Sequence, residues 1–277
     1  MEKILSFDKI KCYDDMMQCL TVLCERYSDM SVTVLGHSIF NREIPMVSLG
    51  EGTKTVVYVG AMHGTDLISS IILLRFINEY CEVLKRGSKI YNVQLYHLVQ
   101  NRKICIIPMM NPDGVEYVER GVDVENPFYD NICKLNKSDD FSGWRYNARG
   151  VDLTNNFLTP MEPETSSLAG FLRFNINIKL ALELACGDNR IIYSPQNRMG
   201  FATGLPKFLS RVSSMVLSQK ALQRSDVDLI DFCNQECGFP AYSILFGNQF
   251  QRERGVSDIF QTYSRLRELL FVTPTII

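Results

Sequence analysis

The stretch Thr55–Leu84, TVVYVGAMHGTDLISSIILLRFINEYCEVL, decides the fold class. Its first five residues form a continuous β-rich run without polar alternation, the pattern of a strand buried on both faces. From Asp66 to about Leu84, Leu67, Ile71, Leu74 and Ile77 recur at helical spacing and predict a long helix with one apolar face. Lys103 to Met109, KICIIPM, reads as a second buried strand. Strand, helix, strand is the unit from which sheets with parallel strands are built.

Outward from this unit, Asp14 is expected to cap a first helix carrying Met16, Leu20, Leu23, Cys24 and Tyr27, and Ser31 to Leu35 and Pro45 to Leu49 read as short strands. Between Asn111 and Phe157, Gly114, Gly121, Gly143 and Gly150, with Pro112 and Pro127, break every periodic pattern and predict a long irregular segment. Loops of that length usually carry function. Strand character returns at Lys179 to Cys186, Arg190 to Ser194 and Ala241 to Phe246, and Pro206 to Leu222 reads as helix. A last helix is expected to start at Ser257 as N-cap, with Ile259, Tyr263, Leu266 and Leu270 on one stripe. The expectation is an α/β protein in one domain, residues 1–277, without internal repeat or linker.

Composition narrows the function. The 277 residues are 46% hydrophobic and 22% charged, with 29 Lys and Arg against 31 Asp and Glu. That balance offers no surplus positive field for nucleic acid or an anionic bilayer. The nine cysteines contain no C-x-x-C pair, unlike a disulfide framework or a zinc ribbon, and suit a reducing cytoplasm. The opening MEKILSFDKIK interleaves charge with apolar residues and leaves no room for the core of a signal peptide, and no apolar run approaches the ~18 residues of a membrane span.

Three segments could carry chemistry. His63-Gly64-Thr65-Asp66 follows a buried strand, where α/β sheets place ligands, and a His and a carboxylate three residues apart can share a metal; Asp66 can equally cap the helix. Asn111-Pro112-Asp113-Gly114 has the Pro and Gly positions of a type I turn. Trp144 to Phe157, WRYNARGVDLTNNF, gathers guanidinium and amide groups of the kind that grip carboxylates, or is a solvated loop anchored by Phe157.

In order and spacing, LGHSIFNREIP near residue 35, VGAMHGTD, IIPMMNPDGVEYV, NARGVDLTNNF and FPAYSILFG resemble the M14 family of zinc carboxypeptidases, specifically its bacterial γ-D-glutamyl-peptidase branch acting on murein-type peptides. The resemblance implies a mixed eight-stranded sheet flanked by helices. It also implies a zinc held by H-x-x-E and a later His, a glutamate base and carboxylate-gripping arginines. His63 matches the first ligand, and Asp66 stands at the glutamate position with a shorter arm. No third histidine is available, since the others are His37 and His97; the position falls on Ala185 in one alignment and on Cys186 in another, and only Cys186 could bind zinc. The metal set implied is therefore His63, Asp66 and Cys186.

The general base falls on Leu245, which neither accepts a proton nor orients water. Glu183, Asp188 and Glu236 are candidate substitutes. Arg145 matches the carbonyl-polarising arginine, while Thr154-Asn155 replaces the Asn-Arg pair that grips a terminal carboxylate, so substrate binding is expected of Arg145 and Asn155. No tyrosine lies between Tyr193 and Tyr242 to match the family's mobile tyrosine. The leading expectation is loss of peptidase activity, with a binding or regulatory role toward peptides that carry a free carboxylate. The second is an active zinc hydrolase with a rearranged site.

Overall fold

Thr55–Val59 lies in the strand Lys54–Gly60, whose side chains alternate between two cores: Val56 and Tyr58 on one face, Val57 and Val59 on the other. Burial on both faces is why the run reads as continuously β-rich. This computed structural model describes residues 6–194, 204–220, 227–247 and 256–277, with side chains from 259 onward in the last segment.

The strands are β1 (Met30–His37), β2 (Glu43–Leu49), β3 (Lys54–Gly60), β4 (Lys89–Ile90), β5 (Val93–Gln94), β6 (Arg102–Ile107), β7 (Ile178–Cys186), β8 (Arg190–Tyr193), β9 (Val216–Gln219) and β10 (Ala241–Phe246). The helices are α1 (Tyr13–Arg26), α2 (Leu67–Lys85), α3 (Leu95–Asn101), α4 (Pro112–Arg120), α5 (Tyr129–Asn136), α6 (Pro163–Phe174), α7 (Gly204–Ser213), α8 (Leu229–Phe232) and α9 (Val256–Val272). Eight strands form one mixed sheet in the order β1-β2-β6-β3-β7-β10-β8-β9, and β4 and β5 pair separately. The central strands β6, β3, β7 and β10 run parallel, while β1, β2 and β6 pair antiparallel in turn, as do β10 and β8. The fold is α/β, as expected.

Helices cover both faces. α1, α2, α7 and α9 bury Leu20, Leu23, Leu73, Phe76, Leu209 and Phe271 against one side of the sheet. Phe76, Tyr80 and Phe271 interlock there with ring centroids 5.0–5.9 Å apart. On the other side Leu168 and Leu172 of α6 meet Leu229 and Phe232 of α8 over Val57, Val59 and Ala181. The chain leaves β3 toward β6 on one side and later returns to β7 on the other. This change of direction falls beyond the C-terminal end of β3, the place where such sheets bind ligands. Among the described residues no helix is long and apolar enough to cross a membrane.

Four local expectations are corrected. Asp14 lies within α1 instead of capping it; the cap position is Cys12, and Asp15 reaches back to the Lys11 amide at 2.9 Å. The segment Asn111–Phe157 is irregular over more than half its length, as expected, but the breakers within it do not prevent two helices, α4 and α5. The Asn111–Gly114 turn is in fact the start of α4, where Asn111 Oδ1 accepts from the Gly114 amide at 2.9 Å and Pro112 takes the first turn. The helix from Pro206 stops at Ser213 because Ser214 adopts φ 57°, and the chain continues as β9; Leu222 lies outside the described residues. The last helix is described from Val256, and the side chain of Ser257, expected to cap it, also lies outside the described residues.

Candidate active site

Beyond β3 the chain runs through Ala61 and Met62 to His63, makes a single 3₁₀ turn over Gly64–Asp66 and enters α2. Asn111 fixes this path: its backbone amide donates to Ala61 O at 2.9 Å, and its Nδ2 donates to Met62 O and Tyr146 O, both at 3.1 Å. One buried amide therefore clamps the His63 loop to the segment that carries Arg145. The Gly64 amide donates to Arg145 O at 3.2 Å, and a Cβ on Gly64 would stand 2.5 Å from Gly114 O and 2.7 Å from Trp144 O. Only glycine allows three backbone segments to meet so closely. Trp144, Tyr117, Ile132 and Phe141 form a small core of their own beneath the Arg145 segment.

His63 is nearly buried and both ring nitrogens are engaged. Nδ1 lies 3.3 Å from Asp66 Oδ2; Nε2 lies 3.2 Å from Asp152 Oδ1, 3.2 Å from an Arg145 guanidinium nitrogen and 3.4 Å from Thr154 Oγ1. Asp66 occupies the cap position of α2, yet its carboxylate turns to His63 and makes no cap hydrogen bond. Burial pulls the His63 pKa down, but the hydrogen bonds to Asp152 and Asp66 outweigh it and hold it at about 9. Burial works against the Asp152 charge, and the His63 and Thr154 bonds more than offset it, keeping this carboxyl well below its usual range. Asp152 accepts from Thr154 N at 3.0 Å and Thr154 Oγ1 at 2.7 Å, so it is fixed before it meets His63.

β7 and β10 bring Glu183 and Ser243 up beside the His63 loop. Ser243 donates its hydroxyl to Glu183 across the parallel pair, and Glu183 is buried. Burial pushes the Glu183 carboxyl up to about 7 even though the Ser243 bond favours its charged form. Alternation along β10 puts Leu245 on the same face as Ser243. Leu245 pairs with Ala185 and Arg190 and sits so close to Gly187 that a Cβ there would lie 2.7 Å from that of Leu245. Burial, then the neighbouring Asp66 carboxylate, pushes the Cys186 thiol well above its ordinary value. Of the two alternatives at the end of β7, it is Cys186 whose side chain stands beside Asp66.

The remaining candidates separate. Asn155 Nδ2 donates to Asp152 Oδ2 at 3.4 Å, so its amide is already bonded, while Arg145 is exposed beside His63. Asp188 is exposed and paired with Arg190, and Glu236 is exposed, 3.8 Å from Arg173. Glu183 alone of the three possible bases lies near His63. Phe157 is buried as the expected anchor of its segment. Asp152 and Thr154 were within the segment singled out in the sequence but not assigned; their spacing after Gly150-Val151, with Asp152 capping a short turn, is the signal that could have found them.

A family model, zinc carboxypeptidase, matches residues 16–215. The chain belongs to the zinc carboxypeptidase family. A γ-D-glutamyl-L-diamino acid endopeptidase 1 of Lysinibacillus sphaericus is 30% identical over 155 residues, covering 56% of this chain and 39% of that protein. The carboxypeptidase N catalytic chain of Rattus norvegicus is 29% identical over 153 residues, 52% of this chain and 30% of the relative. The matches thus span less than half the length of these curated relatives. In fold, the chain is similar to the crystal structure of thrombin activatable fibrinolysis inhibitor, with TM-score 0.72 at 17% identity over 98% of this chain and 74% of that one.

Zinc is the metal the family implies, and the donors here fit it poorly. His63 Nδ1 and Asp66 Oδ2 face each other at 3.3 Å. Among the described residues no group of three or more His, Cys, Asp or Glu side chains is arranged to hold a metal ion.

Proposed function

We propose that this chain keeps the carboxypeptidase crevice without the peptidase reaction, and serves as a binding or regulatory protein for peptides with a free carboxylate, murein-type peptides among them. The observation that carries this reading is Leu245, an apolar side chain packed on Gly187 where the family resemblance calls for the base. The poor donor set for zinc adds to it. Arg145, exposed beside His63, supplies the cationic contact for a carboxylate, and the exposed Asn155 stands next to it on Asp152. All nine cysteines are free thiols, which suits the cytoplasm as the place of action.

Calorimetric titration with a γ-D-glutamyl peptide tests this reading. The free acid should bind and be recovered intact, and either amidation of the peptide or Arg145→Ala should weaken binding about tenfold, the loss of one charge-assisted contact. Equal affinity for acid and amide would sink the carboxylate reading.

A second reading is a zinc hydrolase with a rearranged site in which His63, Asp66 and Cys186 hold the metal and Glu183 replaces the base. It is favoured by the Cys186 thiol beside Asp66 and by Glu183 lying near His63 with a carboxyl at about 7. Protein purified without added metal or chelator would then carry about one zinc per chain, lost in Cys186→Ala.

A further inference from the structure

We propose that the turn 174–177, between α6 and β7, is a docking tip for an anionic lipid surface, into which Phe174 and Ile176 insert while nearby cations meet the lipid phosphates. Phe174 is 81% exposed and Ile176 86%, more than any other large apolar side chain among the described residues. Single exposed apolar residues are ordinary, but two on one tight turn form the kind of patch that marks an interaction site. The turn is braced, so this is not the exposure of a loose loop. The Ile178 amide donates to Asn175 O at 3.1 Å, and the Asn177 amide donates to Asn175 Oδ1 at 3.2 Å. Asn177 O accepts from the Thr55 amide at 2.9 Å, which ties the turn to the start of β3.

Charge indicates the partner. Arg173 precedes Phe174, the Lys179 ammonium donates to Ile176 O at 3.1 Å, Lys54 precedes Thr55, and Lys103 pairs with Thr55 from β6. Against these four cations stand Glu236, 3.8 Å from Arg173, and Glu51, three residues before Lys54; Asp29 lies before β1, three strands from β3. The overall charge of -2 offers no field for a bilayer, yet this end of the sheet carries a local positive surplus. Apolar side chains that enter the headgroup region, flanked by lysine and arginine, are what holds a protein on an anionic bilayer. A second copy would set the same cations against each other, which disfavours it. A polyanion without an apolar phase would leave Ile176 in water. β3 runs its 7 residues, about 20 Å, from Lys54 at this end to Gly60 near the His63 loop. A chain docked by the turn therefore keeps Arg145 and His63 toward water, and lipid docking is independent of peptide binding.

Co-sedimentation of the full chain with phosphatidylcholine–phosphatidylserine vesicles at about 7:3, and with phosphatidylcholine vesicles alone, tests the proposal. The mixed vesicles should bind the chain at least about tenfold more tightly, and binding should fall as salt rises. Phe174→Ser combined with Ile176→Ser should weaken binding at least about tenfold, and Lys54→Glu at least about fivefold. All three positions are exposed, so the melting curve should stay unchanged. As a readout that keeps the tip apolar, Phe174→Trp should shift its emission to the blue on the mixed vesicles, against the constant signal of the buried Trp144, the one native tryptophan. No binding to the mixed vesicles, binding indifferent to the two serines, or binding without the blue shift would overturn it. Self-association without lipid binding, abolished by the two serines, would assign the tip to a second copy and overturn it equally.

Discussion

Glu183 is buried between β3 and β10, and burial holds its carboxyl at about 7 against an ordinary 4.5. Between those values the folded chain binds more protons than the unfolded one, so this residue's contribution to stability is intact at low pH, falls as pH rises from 4.5 through about 7, and is flat above. Glu183→Gln keeps an acceptor for Ser243 and removes the charge; it should stabilise the protein by on the order of 1–3 kcal/mol at pH 8 and leave it unchanged at low pH, read from urea denaturation. His63 behaves in the opposite sense to a buried neutral histidine. Its folded value of about 9 exceeds the ordinary 6.5, so its contribution is complete below 6.5 and is lost as pH rises through 9. An NMR titration of the His63 ring should have its midpoint near 9, and Asp152→Asn, which removes the carboxylate on Nε2, should lower that midpoint by at least about one unit.

The NPDG segment acts at the scale of elements. Asn111 caps α4 and clamps the β3 exit to the Arg145 segment, so Asn111→Ala orphans two buried carbonyls and an amide at once. A loss of about 2–4 kcal/mol in denaturant unfolding is expected, well above that of a lone surface cap. Gly64→Ala drives a Cβ into the Gly114 and Trp144 carbonyls and should cost about 1–3 kcal/mol, with weaker peptide binding because Arg145 is displaced. These elements show how far the sequence could be read. β3, α2, β6, β7 and β10 were legible because a strand buried on both faces and a helix with one apolar stripe leave strong periodic signals. α4 was hidden because Pro112 and Gly114 look like a turn, although the same two residues serve a helix start and a close backbone contact. The second half of the stretch from Pro206 was hidden because only the φ of Ser214 separates helix from strand there.

Across the whole molecule, sheet order decides where chemistry is placed, and no local pattern encodes it. The direction change beside β3 brings residues 63, 145, 152, 183 and 243 together across about two thirds of the chain. His63, Asp66, Arg145 and Leu245 could be picked out from the family's motif order. The bonds of Asp152 to His63 and of Ser243 to Glu183 could not, because each joins residues brought together only by tertiary packing. The central claim concerns that assembly: the crevice remains while the reaction does not. Its most direct test is turnover of a γ-D-glutamyl peptide by the purified chain supplied with stoichiometric zinc, with and without chelator. The account predicts a rate indistinguishable from the peptide in buffer under both conditions. Sustained cleavage that the chelator abolishes would contradict it.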